Sequence, residues 1–294
     1  MLNWDDMRVF LAVARVESLT AAAPRLRMDP ATLSRRIARL ESELGQALFL
    51  KSPQGYQLTD LGARIRDEAT EAETAFARAL DAKAAYSSGL SGQIRIGAPD
   101  GCAGFLLPQV CASIQADNPD LEIQILSLPR VVNLSQREAD MAITVSPPTT
   151  GRYTVQKIAD YRLHLAMRRD ADAPNQVRDI KDKHVVGYIQ DMIFDKELDY
   201  LDALASPKVQ LASNSVTVQM QLLRSSGGIG FVHDFALPTF PELRKVLSDQ
   251  ISLTRSYYLV RHTADRRSER LHRFADALVL GLQSEIARLQ ELPA

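Results

Sequence analysis

Hydrophobic positions in the first sixty residues recur at helical spacing in three short runs. In residues 4–15, Met7, Phe10, Leu11 and Ala14 share one stripe, which predicts a first helix. A second starts after Ser18 or Thr20, either of which can cap it, and runs through Ala21–Leu26. Pro24 is read as falling near its first turn, where a missing amide costs least. In residues 29–45, Asp29 reads as an N-cap, Pro30 as the first helical residue, and Leu33, Ile37, Leu40 and Leu44 as a buried stripe. The second and third helices are separated by a short turn, the layout of a helix-turn-helix unit. Residues 47–59 then read as two strand-like pieces around a turn at Ser52–Gly55, a hairpin in the position of a wing.

From Thr59 the apolar positions Leu61, Ile65, Ala69, Ala72, Phe76 and Leu80 predict a helix continuing to about Tyr86. So narrow a stripe over some 25 residues needs a partner helix, most simply from a second copy of the chain. Residues 87–92, Ser-Ser-Gly-Leu-Ser-Gly, have linker composition. Beyond them the pattern alternates: strands over 93–99, 121–127 and 139–145, with a helix over 105–117. Two further strands, 161–169 and 256–262, bracket 184–189, a helix over 217–226 and 227–235. Short strands with helical crossovers predict parallel α/β architecture in two subdomains, with ligand space between them at the strand carboxyl ends.

Composition changes this picture in two places. The 294-residue chain, 46% hydrophobic and 24% charged, is ordinary for a soluble globular protein of two or three domains. Its net charge of -1 hides a split: residues 1–66 hold ten Lys/Arg against seven Asp/Glu, so a basic segment precedes an acidic body. That points to a polyanionic partner for the first segment. Charged residues within the first twenty exclude a secretory signal by composition, and no apolar run is long enough to span a bilayer. Cys102 and Cys111, placed on one predicted helix, project from opposite sides and do not pair, so the chain reads as cytoplasmic.

The third helix carries Thr32, Ser34, Arg35, Arg36 and Arg39 away from its apolar stripe. A duplex major groove uses such groups well, since arginine pairs with guanine while Ser and Thr meet phosphates or bases. Lys51 and Ser52, in the wing, would meet an adjacent phosphate. The competing reading is a solvated face whose arginines pair with Glu41 and Glu43.

The order of elements, with "FLAVARVESLTAAAPRL", "LSRRIARLESELGQALF", "GYQLTDLG", "IRIGAP", "LLPQV", "READMAI" and "GIGFVHDF", resembles the LysR-type transcriptional regulators across essentially the whole chain. The resemblance implies fold class α/β: an N-terminal winged helix-turn-helix, a long linker helix, and a C-terminal two-subdomain α/β effector-binding domain like the periplasmic solute-binding proteins. The boundaries expected are 1–58 for the DNA-binding domain, 59–86 for the dimerising helix, 87–92 for a hinge and 93–294 for effector binding. Within the last, subdomain I takes about 93–161 and 265–294, and subdomain II about 162–264. It further implies double-stranded DNA and a small-molecule effector as partners, a homotetramer built on linker-helix dimers, and DNA bending altered by the effector. No cofactor, metal or membrane is expected. Asp29, Pro30 and Ala31 stand where relatives often have Ser-Gln-Pro, so base reading rests on Thr32, Ser34, Arg35 and Arg36.

Loops at strand ends and helix N-termini favour anions, and the resemblance points to the same four segments: 99–103, 126–128, 144–146 and 213–216. The effector-site candidates there and beyond are Asp100, Gly101, Cys102, Ser127, Thr144, Ser213, Asn214 and His233. Pro99 and Gly101 stand where Ser and Thr are common in relatives, with Asp100 between them; the loss of two donors and gain of an acid weaken the case for a simple carboxylate effector. His233 is a candidate ligand contact or pH-sensitive hinge, and Cys102 a candidate thiolate at a helix start or a small buried residue. An enzyme is the competing class, as is a small-molecule-binding protein with a helical dimerisation module. The sequence carries no G-x-G-x-x-G, P-loop, G-x-S-x-G or H-E-x-x-H motif, and either reading leaves the basic segment without a role.

Overall fold

The computed structural model describes residues 3–52, 55–84, 89–127, 134, 138–204 and 208–292, excluding the side chains of 74, 77–84 and 267. The predicted tip of the hairpin turn, the start of the 87–92 linker, the end of the long helix and the Leu80 side chain lie outside the described residues. The chain forms two compact units, residues 1–86 and 87–294.

The first unit begins with α1 (Trp4–Val16), α2 (Leu19–Leu26) and α3 (Pro30–Leu44). Each starts at a side-chain cap: Asn3 accepts from the Asp5 amide, Ser18 from Ala21 and Asp29 from Thr32. The turns leave through left-handed residues, Glu17, Arg27 and Gly45. Pro24 lies inside α2, in its second turn rather than near its first; in an eight-residue helix capped at Ser18 it removes one amide only. The hairpin of β1 (Phe49–Ser52) and β2 (Gly55–Leu58) is antiparallel, pairing Phe49 with Leu58 and Ser52 with Gly55. Near its turn it is fastened to the C-cap of α1, because the Tyr56 amide donates to the Glu17 carbonyl at 2.9 Å. Gly55, at φ +136°, allows this approach: a Cβ there would lie 2.6 Å from that same carbonyl oxygen. Helix α4 (Asp60–Ala84) packs Leu61, Ile65 and Ala69 onto the core formed by Phe10, Leu33, Ile37, Leu40 and Phe49. Beyond Ala69 its apolar stripe emerges, leaving Phe76 exposed.

The second unit holds β3 (Gly92–Ala98), α5 (Asp100–Phe105), α6 (Leu107–Asp117), β4 (Leu121–Ser127), β5 (Met141–Thr144) and the long β6 (Tyr153–Arg168). These are followed by β7 (Val185–Gly187), β8 (Val209–Ala212), α7 (Val216–Ser226), β9 (Gly230–His233), β10 (Leu243–Val246), β11 (Leu253–His262) and α8 (Glu269–Glu291), with short 3₁₀ turns between. The large sheet runs β10-β6-β11-β5-β3-β4, with β9 also on β6. Only the pairings of β3 with β4 and with β5 are parallel in it; β11 runs antiparallel to β5 and β6, and β6 to β9 and β10. The sheet is therefore mixed, not parallel as the strand-helix alternation predicts. A separate parallel pair, β7 and β8, is joined to Ile229 by the Val186 amide.

One lobe forms around β3, β4 and β5, and another around β7, β8, β9 and β10, with β6 and β11 shared. The predicted helix over 105–117 is found as α6, starting at Leu107; a separate short helix, α5, precedes it and ends at Phe105, the break at Leu106 falling just before Pro108, which disfavours helix ahead of it. Cys102 and Cys111 thus sit on successive helices, both free thiols and both buried. The main core cluster runs through both lobes, from Ile94 and Cys102 to Tyr161, Phe235 and Val186, and a small second cluster gathers Leu134, Ala139, Ala142 and Val260.

Candidate functional site

Two places concentrate chemistry, one in each unit. In the first, α3 turns its apolar stripe inward and its first turn outward. Asp29 accepts from the Thr32 amide at 2.9 Å and from the Thr32 hydroxyl at 2.6 Å, and that hydroxyl accepts from Arg35 Nη2 at 3.1 Å. The two bonds from Thr32 hold the Asp29 carboxyl below its ordinary range. A file of three side chains at successive i, i+3 positions therefore fixes where the exposed Arg35 guanidinium stands.

Arg36 and Arg39 behave differently from the sequence expectation. Both turn to Asp6 of α1, whose carboxylate is only 1% exposed: Arg39 Nε donates at 2.6 Å and Arg36 Nη1 lies at 3.4 Å. The carboxylate raises the Arg39 pKa by hydrogen bonding and charge. These arginines dock α3 on α1, so Arg36 is not the unengaged base-reading group expected. Glu41 does not serve them; it accepts the Leu48 and Phe49 amides at 2.9 and 3.1 Å and pairs with Lys51 at 3.4 Å. Lys51, the expected phosphate contact, is thereby tied to the base of the wing and lies 5.9 Å above the Tyr56 ring, though it stays exposed alongside Ser52. Asp6 is the residue that the pattern of the α3 face does not reveal, and Glu41, expected beside the arginines, serves the wing instead. Asp6 gave no local signal, since its partners come 30 and 33 residues later.

In the second unit, Asp100 opens α5 and reaches across to the other lobe. Its Oδ2 accepts from the Ser215 hydroxyl at 2.9 Å and from the Thr217 amide at 3.1 Å; its Oδ1 accepts from Ser127 at 3.4 Å. A second bond between lobes runs from the Ser146 hydroxyl to Asp195, and Arg255 pairs with Glu197 at 3.0 Å. Thr144 donates to the Ser146 carbonyl at 2.7 Å. Ser213 is buried, accepting the Ser215 amide on its hydroxyl and the Gln219 amide on its carbonyl. Asn214 and Asp100 are half-buried and Ser127 exposed.

Gly101, Cys102 and His233 are not cleft-lining groups open to a ligand. Gly101 and Cys102 are buried, and a Cβ on Gly101 would stand 3.4 Å from the His233 ring. Burial pushes the Cys102 thiol far above its ordinary range and Cys111 up to about 12, which rules out the stabilised thiolate considered for Cys102. His233 belongs to an aromatic stack: its ring lies 5.4 Å from Tyr161 and 5.0 Å from Phe235, and Tyr161 lies 4.2 Å from Tyr257. His233 Nε2 is 3.4 Å from the Tyr200 hydroxyl, while Nδ1 has no hydrogen-bond partner. The stack is part of the buried core of this unit. A small, partly open pocket lies within the second lobe, walled by Tyr188, Tyr200, Phe231, Gln190, Gln219 and Asp199 among others.

Burial drops the His233 pKa to about 4, with Asp234 and Asp100 pulling weakly the other way. The ring is therefore neutral in the native state at neutral pH, whereas the unfolded chain binds a proton near the ordinary value of about 6.5. Its stabilising contribution is complete above that value and is lost as pH falls toward 4. Between pH 6.5 and 5 this amounts to about 2 kcal/mol, at about 1.4 kcal/mol per pH unit. Thermal melts across that range should show the loss in the wild type, and His233→Phe, which keeps the ring stack, should flatten it. An unchanged slope in the variant would assign the effect to another group.

Among the described residues no cluster of His, Cys, Asp and Glu could hold a metal ion, and no helix is long and apolar enough to cross a membrane. The family described as "Bacterial regulatory helix-turn-helix protein, lysR family" matches residues 4–63, and "LysR substrate binding domain" matches 87–282. The Mau operon transcriptional activator of Paracoccus denitrificans is 28% identical over 170 residues, 58% of this chain and 60% of that protein. The carbapenem-hydrolyzing beta-lactamase transcriptional activator of Enterobacter cloacae is 34% identical over 144 residues, 48% of each. The chain thus aligns with about half the length of such curated relatives. Among solved structures, a full-length OxyR variant from Pseudomonas aeruginosa superposes with a TM-score of 0.71 at 18% identity, covering 100% of this chain and 99% of that one. CrgA from Neisseria meningitidis does so at 0.59 and 22%, covering 96% and 99%. At such identities the likeness concerns the fold.

Proposed function

The chain belongs to the LysR family of bacterial transcriptional regulators, and from that premise we propose that it binds DNA sequence-specifically and adjusts that binding or bending to a small-molecule effector. The observation that carries the reading is the file Asp29, Thr32, Arg35 on the exposed first turn of α3. A major groove admits such a helix end-on by its N-terminal residues, and a guanidinium held in one position is suited to the paired acceptors of guanine. Arg35 reads bases, with Thr32 and Ser34 beside it; Arg36 sets the angle of α3 through Asp6; Lys51 and Ser52 meet a phosphate from the wing.

The exposed Phe76, on the stripe that α4 carries beyond the core, supports pairing of two copies through that helix. We take the working form to be a homotetramer made of two such pairs, in the cytoplasm. Effector contacts come from Asp100, Ser127, Thr144 and Asn214 at the seam and from the neighbouring cavity, with Gly101, Cys102, Ser213 and His233 supporting them from behind.

A mobility-shift titration with duplex from the region flanking the chain's own gene tests this. Binding should weaken steeply with salt, and Arg35→Ala should lower specific affinity by about 5- to 150-fold while leaving the melting temperature unchanged. Failure of the wild type to bind any such duplex at low salt would overturn the reading.

A further inference from the structure

The N-terminus of α7 offers what an anion needs. Its cap residue Ser215 has a hydroxyl free to donate outward while accepting the Val218 amide at 3.3 Å, and the Thr217 amide points out of the first turn. In this chain those donors are already engaged, by a carboxylate that comes from the other lobe. Asp100 Oδ2 takes both, and Ser127 adds a third donor on Oδ1. The geometry is that of a bound carboxylic acid, except that the acid is covalently part of α5. We propose that Asp100 is a built-in ligand: it occupies the anion seat at the start of α7, ties the two lobes together there, and makes the cleft select effectors that carry no carboxylate.

The inference rests on the effector-cleft reading, and a second observation supports the ligand class. Of the residues walling the adjacent cavity, the only charged one is Asp199, beside the rings of Tyr188, Tyr200 and Phe231 and the amides of Gln190 and Gln219. An anion brought there would meet no cation, whereas an uncharged molecule or an amine would find apolar surface, ring faces and hydrogen-bonding amides. A free carboxylate would also have to displace Asp100, which is held at high effective concentration by its place in the chain.

Full-length protein and sodium formate, the smallest carboxylate, decide the matter by thermal melting, with sodium chloride at equal ionic strength as the control. In the wild type formate should add nothing beyond the salt effect. Asp100→Ala should melt lower by about 2–6 °C and recover at least half of that loss in formate, saturably, as binding to the native state requires. Asp100→Asn, which keeps the seat filled, should show no recovery. Asp100→Ser serves in the same role if the alanine variant does not fold. A formate shift in the wild type equal to that in Asp100→Ala overturns the proposal, as does a folded alanine or serine variant that formate leaves unmoved. Mobility shifts on the same samples separate the two readings. Rescue by formate with DNA binding unmoved upholds the seat and counts against the effector role of the cleft. No rescue, with DNA binding intact, removes the seat and leaves the regulator standing.

Discussion

Phe10→Ala is expected to cost the first unit about 3–5 kcal/mol, the usual range for emptying a fully buried phenylalanine site. The ring has no exposure and sits 5.3 Å from Phe49, which in turn meets Tyr56 edge-on at 5.4 Å. One file of rings thus connects α1 to both strands of the wing. Stability runs at about 0.05–0.15 kcal/mol per residue, about 4–13 kcal/mol for a unit of this size, so the loss takes a large share of what the unit ending at residue 86 has. Urea denaturation of the unit should show a lowered midpoint, and DNA binding at 37 °C should fall with it. Phe10→Leu, which refills most of the volume, should cost about a third as much. Equal losses in the two variants would mean that the ring contacts do not hold the wing.

Gly62→Ala should be nearly as damaging, against the direction that helix propensity gives. Gly62 is the third residue of α4, where helix propensity favours alanine over glycine by at most about 1 kcal/mol. Yet a Cβ at position 62 would lie 2.1 Å from the Leu48 carbonyl oxygen and 3.1 Å from Leu58 Cδ2. That carbonyl cannot simply withdraw. It accepts the Thr59 amide at 3.0 Å and the Thr59 hydroxyl at 3.3 Å, and the same hydroxyl accepts the Gly62 amide at 3.0 Å. Making room separates α4 from the base of the wing and breaks these bonds together. The expected net loss is about 2–4 kcal/mol, overpacking plus broken hydrogen bonds less the propensity gain. A thermal melt reads it directly, and a rise in melting temperature would show that the joint is looser than it stands here.

What was legible in the sequence was what neighbouring residues determine. Asp29, Pro30 and Gly45 mark α3 because capping and left-handed exit are local events, and the stripe of Leu33, Ile37 and Leu40 is a matter of period. Strand direction is not local, so alternation of strands and helices gave no sign that β6 and β11 run antiparallel. The alternation of 153–160 merges without a boundary into the apolar run that was read, which is why β6 is sixteen residues long and only its second half was expected. The break at Leu106 did have a signal in Pro108, outweighed by the continuous apolar run around it. The candidate site divides in the same way. Arg35 could be placed from period alone, whereas the engagement of Arg36 and Arg39 by Asp6, and of Asp100 by Ser215, depends on which elements come to lie side by side. Burial of His233 and Cys102 likewise follows from the joining of the two lobes into one core, which no window of sequence contains.

Strands β6 and β11 stay hydrogen-bonded from Tyr153 and His262 to Leu163 and Leu253, with one irregularity where Tyr257 faces Ala159 and Tyr258 faces Lys157. Ile158 is the extra residue, and its carbonyl accepts Gln283 of α8 at 2.8 Å. The two lobes share this ribbon, so a displacement of one has to pass through the same ladder of hydrogen bonds to reach the other. The bulge sharpens the local twist of the ribbon, and Gln283 joins that same step to α8, a helix of 23 residues, so the ribbon and the helix are coupled at the one place where the ladder is irregular.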